Sequence, residues 1–102
     1  MLRRYWFVFD PQTSPSRVKL GCGVTALNRD DALALLRQRL AVAGSRDRDD
    51  ALALFANRLA ENAPQAVQTC VEDVDVSTLD ERHVVPNVGD VATRGIWFPR
   101  GL

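Results

Sequence analysis

Lysine, histidine and cysteine are almost missing from this 102-residue chain. All but one of its thirteen basic residues are arginine, the exception being Lys19. His83 is the only histidine, and Cys22 and Cys70 are the only cysteines. A structural zinc site takes about four ligands at short, paired spacings. Two distant thiols and one imidazole do not supply that, so neither a metal nor a cofactor is expected. Net charge is also missing, because thirteen acids balance the thirteen bases. The chain therefore has no overall field to draw in nucleic acid. Arginine in place of lysine reads as coding bias and carries little weight as a sign of phosphate binding.

Long apolar runs are absent too. A membrane span needs roughly 18–20 apolar residues, and no segment approaches that, so no membrane association is expected. The stretch from Tyr5 to Phe9 is too short to be the apolar centre of a secretory signal. The expected location is the cytoplasm, where both thiols would stay reduced. Gly21-Cys22-Gly23 lacks the third glycine and the strand–turn–helix context of a dinucleotide fingerprint. No Walker A loop and no Gly-x-Ser-x-Gly elbow is present.

What is present suits one domain over residues 1–102. The apolar share of 46% and charged share of 25% are ordinary for a folded domain. Tyr5, Phe7 and Phe9 alternate with Trp6 and Val8, which predicts a strand over 3–10 with both faces covered. A second strand is expected over 17–27, with Val18, Leu20, Cys22, Val24 and Ala26 on one face, pairing with the first as an antiparallel hairpin. Asn28 reads as the N-cap of a helix, with Asp30 and Asp31 in its first turn. Leu33, Leu36, Leu40 and Ala43 mark its buried face, and Gly44 its stop.

The segment from Asp30 to Ala41 then returns as Asp49 to Ala60, with nine of twelve residues identical. This predicts a second helix, within 47–63, burying Leu52, Phe55, Ala56 and Leu59 and ended by Pro64. A third strand is expected over 66–76. Ser77 and Asp80 suggest a capped turn of helix from Thr78 to His83. Pro86-Asn87 and Gly89-Asp90 are turn chemistry, and a last strand runs from Arg94 to Phe98. The order predicts an α+β fold: two layers, a small antiparallel or mixed sheet of three to four strands, and two helices on one face.

Three functional readings follow. The leading one is a non-enzymatic protein-binding domain. Arg3-Arg4-Tyr5-Trp6-Phe7 and Arg94-Gly95-Ile96-Trp97-Phe98 set arginine beside aromatics, the residue types that dominate binding hot spots. A surface built from Trp6, Trp97 or the loop 84–93, with His83, Asn87 and Arg94, would meet a protein partner, a second copy of the chain included. Burial in the core is the ordinary alternative for both tryptophans. The second reading is a small enzyme or ligand binder that gathers Cys22, His83 and the acids Glu72, Asp73, Asp75 and Asp80. A thiol nucleophile needs an adjacent base, and the ordinary alternative for Cys22 is a small apolar residue between packing glycines. The third is a single-strand nucleic-acid binder stacking bases on its aromatics, which the zero net charge disfavours.

Tyr5-Trp6-Phe7, Leu20-Gly21-Cys22-Gly23-Val24-Thr25-Ala26, Asp73-Val74-Asp75-Val76-Ser77-Thr78-Leu79-Asp80 and Arg94-Gly95-Ile96-Trp97-Phe98-Pro99 together resemble a family of small uncharacterised bacterial proteins. The likeness runs nearly end to end and implies no catalytic residue. In size and style such chains are similar to immunity proteins, which neutralise the toxins of competing bacteria. The resemblance thus implies a bound toxin as one form of the partner.

Overall fold

The computed structural model describes residues 1–100 and Leu102. Four strands, β1 (Arg3–Phe9), β2 (Cys22–Ala26), β3 (Val67–Glu72) and β4 (Gly95–Phe98), form one sheet in the order β3-β1-β2-β4. Every pairing is antiparallel. Helices α1 (Arg29–Arg46) and α2 (Asp50–Ala66) lie between β2 and β3 in the chain. Both pack on one face of the sheet, as the α+β expectation requires.

The period-two pattern of β1 divides the molecule into two cores. Tyr5, Phe7 and Phe9 join Cys22, Val24 and Ala26 beneath the helices, where Leu36, Leu40, Leu52, Phe55 and Leu59 close the layer. Trp6 and Val8 point the other way. There they meet Trp97, Phe98 and a cover of Val74, Val76, Leu79, Val84, Val88 and Val91 from the β3–β4 connection. A bulge puts two adjacent β4 aromatics into this second core. Gly23 faces Phe98 while the next residue, Val24, faces Ile96, so Trp97 is the extra residue. Such a bulge lets neighbouring side chains share a face.

Several sequence expectations shift in detail. The second strand is shorter than 17–27: residues Ser16–Val18 form a 3-10 turn, and Leu20 is exposed rather than inward-facing. Gly21, at φ +110°, turns the chain so that strand pairing starts at Cys22. A β-carbon there would stand 2.7 Å from the Trp6 ring, so both the backbone and the close approach require glycine. The third strand ends at Glu72 instead of 76, because Asp73 enters the left-handed region at φ 54°. Helix α2 runs two residues past Pro64, to Ala66.

Helix α1 continues through Gly44 to Arg46. That glycine is a packing residue, not a stop: a β-carbon on it would lie 2.8 Å from the Ala53 nitrogen of α2. The stop is Arg48, at φ 52°. Its N–H donates to the Ser45 carbonyl and the Asp49 N–H to that of Gly44, the paired bonds of a Schellman end. Asp49 then caps α2 by accepting from the Leu52 N–H at 3.1 Å. The repeated sequence does not make a repeated face. Ala32 is buried where its counterpart Ala51 is exposed, and Leu52 is buried where Leu33 is only half so. Each helix is rotated to meet its own part of the sheet.

Candidate functional site

The β3–β4 connection, residues 73–94, is the long irregular segment of the chain. Connections beyond about 12–15 residues without regular structure usually carry function. Most of the sequence-derived contact residues lie on it or beneath it.

Its order comes from side chains that satisfy local backbone. Asp75 accepts from the Ser77 N–H and hydroxyl, opening a 3-10 turn over Val76–Thr78. Asp80, not Ser77, organises the next turn. One of its carboxylate oxygens accepts from the Arg82 and His83 N–H groups, and the other lies 3.2 Å from His83 Nδ1. Those backbone bonds, with the imidazole, hold the Asp80 carboxyl below its ordinary range. Asn87 donates from Nδ2 to the His83 carbonyl at 2.9 Å. The result is a turn that fixes Arg82, His83 and Asn87 in exposed positions while Val84 is buried beneath them. The signal for Asp80 was in the sequence as Asp-x-x-His, but it marked a turn rather than a helix.

The two tryptophans are placed otherwise than a contact surface requires. Trp6 is 7% exposed and Trp97 1%, with ring centroids 5.9 Å apart. Phe98 lies 5.6 Å from Trp6. The rings fill the second core because Gly21 and Gly23 remove the β-carbons that would occupy their space. Trp6 and Trp97 are therefore corrected from surface contacts to core residues, and neither ring is free for base stacking. Trp97 Nε1 is buried without a hydrogen-bond partner among the described residues.

Arg94 is exposed and pairs with Asp31, its Nε donating at 2.9 Å and its Nη2 to the second oxygen. The same Asp31 carboxylate accepts from the Leu27 N–H, while Asn28 Oδ1 accepts from the Asp31 N–H. One acid thus joins the start of α1 to the end of the connection. The Arg94 hydrogen bond and the Leu27 N–H hold its pKa near 2, from an ordinary 3.8. A carboxylate with a depressed folded pKa stabilises the fold above its unfolded pKa, and loses that contribution as pH falls through the folded value. Stability is therefore expected to drop between about pH 4 and 2. Asp31→Asn should flatten part of that fall. Urea midpoints measured across this range would refute the assignment if wild type and variant declined in parallel.

Cys22 and His83 do not meet. Cys22 is fully buried on the helix side of the sheet, where desolvation pushes its thiol pKa up, away from a reactive thiolate. His83 sits on the segment covering the opposite face. Of the proposed set only Asp80 and His83 touch. Glu72 and Asp73 lie near Arg3 at 3.6 and 3.8 Å on the exposed sheet end. No group of three or more potential metal ligands occurs among the described residues. No described helix is long and apolar enough to cross a membrane.

Sequence reasoning missed one feature. Leu35, Gln38, Arg39 and Val42 of α1 and Gly95 and Ile96 of β4 line a groove of about 330 Å³. Arg39 donates to the Leu102 carbonyl at 2.7 Å beside it. Leu35 and Val42 fall outside the most hydrophobic stripe of α1, so only the placement of the edge strand reveals their role. Comparison of the chain with family models, with curated proteins and with solved structures found no match.

Proposed function

We propose that this chain is a protein-binding domain without chemistry of its own, and that the 80–87 turn is the centre of its contact surface. The observation that supports this reading is the fixed presentation of polar side chains. Asp80 spends its carboxylate on the turn itself, and Asn87 closes it, so Arg82 and His83 are held outward on a rigid frame. A prearranged surface loses little conformational freedom on binding, which raises affinity for a given contact area. Loops on a rigid scaffold are where binding residues concentrate. Val84 beneath the turn seats that frame on the sheet, and Arg94 at the end of the connection ties the connection to α1.

Neutralisation of a toxin is the narrower form of this proposal, and it rests on the resemblance in size and style. A neutral chain suits a partner that is not strongly basic, since steering toward a basic enzyme uses a net acidic surface.

The test is co-purification from the native cell with tagged wild type, Arg82→Ala/His83→Ala, and Arg58→Ala as a control on the exposed side of α2. A stoichiometric partner retained by wild type and the control, and lost with the double variant, is the expected result. A partner that survives the double variant, or none at all, refutes the reading.

A further inference from the structure

Residues 75–88 are attached to the rest of the molecule in an unusual way. Among the described residues, every hydrogen bond they make stays within the segment: Ser77 and Thr78 to Asp75, Leu79 to Val76, Arg82 through Val85 to Asp80, and Asn87 to Val84 and His83. The contact of the His83 ring with the Asp80 carboxylate is internal as well. The Arg4 charge acts on Asp75 from outside, favouring its ionised form. What holds it down is apolar: Val76, Leu79, Val84 and Val88 resting on Trp6, Val8, Trp97 and Phe98.

The bonds to the body lie at the two ends. At one end Val74 exchanges bonds with Arg4, its N–H donating to the Arg4 carbonyl while Arg4 Nε donates to its carbonyl. Asp73, at φ 54°, sets the turn just before it. At the other end the Gly89 N–H donates to the Trp97 carbonyl at 2.7 Å. Two residues on, Thr25 Oγ1 donates to the Val91 carbonyl, and Arg94 grips Asp31. The segment is thus bonded inside, pinned at both ends, and held between them chiefly by side-chain burial.

We propose that residues 75–88 form a flap that opens as one unit about Asp73–Val74 and Gly89, uncovering the Trp6–Trp97–Phe98 face while sheet and helices stay folded. Opening breaks no internal hydrogen bond of the flap, so its cost lies chiefly in the apolar contact. It also returns something to the open state. Trp97 Nε1, buried with no partner among the described residues when the flap is down, gains water when it lifts. Local openings of this kind belong to units with few cross-bonds to the body. The inference stands apart from the partner-binding reading, because it concerns motion within the isolated chain.

Both tryptophans lie under the flap, whereas the signal of α1 and α2 comes from the other layer, so two probes separate the events. Urea unfolding followed by tryptophan emission is expected to show an earlier transition than far-UV ellipticity. Val84→Ala, which trims the most buried flap side chain, should move the emission transition lower still. It should raise the acrylamide quenching constant at least threefold and leave the helical transition in place. Coincident transitions in wild type, or a Val84→Ala shift common to both probes, would show one cooperative unit and overturn the flap.

Discussion

Trp97→Ala is expected to lower total stability by about 3–5 kcal/mol, the usual cost of emptying a buried large aromatic site, whereas Trp97→Phe is expected to cost less than about 1.5 kcal/mol. The contrast is the informative part. Trp97 is 1% exposed and stacks on Trp6, so alanine removes a ring that fills the second core. Phenylalanine keeps a ring against Trp6 and Gly23 while deleting the indole N–H. That N–H has no partner among the described residues, and an unsatisfied buried donor costs about 1–3 kcal/mol of desolvation. Removing it offsets part of the lost packing. Calorimetry on the two variants decides the matter, and equal losses would mean that the indole nitrogen finds a partner in solution.

Gly23→Ala is expected to cost about 3 kcal/mol, the upper end for overpacking a rigid core, although alanine is otherwise favoured over glycine within a strand. A β-carbon at Gly23 would overlap the Trp97 ring, at three of its carbon atoms. The ring cannot retreat easily, because Trp6 stands 5.9 Å away on its other contact. The mechanism carries its own control. In a Trp97→Ala background the obstacle is gone, so the same Gly23→Ala change should be near neutral. Contacting residues are where additivity fails, and a Gly23→Ala penalty undiminished in that background would rule out ring overlap as its cause. Gly89→Ala offers a second comparison, since a β-carbon there would lie an ordinary 3.5 Å from the Trp97 carbonyl oxygen.

Much of the architecture was legible because period and capping act locally. The alternation in β1 correctly pointed to two covered faces, and the Asn28 cap, the Asp31 turn and the inward set Leu52, Phe55, Ala56 and Leu59 are all where their spacing implies. Gly44 was misread for a clear reason. Glycine after an apolar stripe is the ordinary mark of a helix end, and only the approach of α2 shows that it serves close packing. The second strand was overextended because Val18 and Leu20 fit its alternation. The left-handed turn at Gly21, which breaks that alternation, has no signature beyond the glycine itself.

The candidate site was less legible. Arginine beside tryptophan has the composition of an interface and of a core strand alike. The choice between them is made by the connection 73–94, distant in sequence from Trp6, which folds back over the sheet. Cys22 and His83 could be written as a pair only because a linear chain does not reveal which face each one takes.

Residue order thus settled the elements of this protein, since helix caps, alternation and turn chemistry depend on neighbours within a few positions. It settled as well that the chain carries no net charge. Which aromatics are hidden, which glycines make room for them, and which polar side chains are left exposed was decided only when strands from both ends of the chain came together. Burial is a property of the assembled sheet and its two covers, and no local run of residues encodes it.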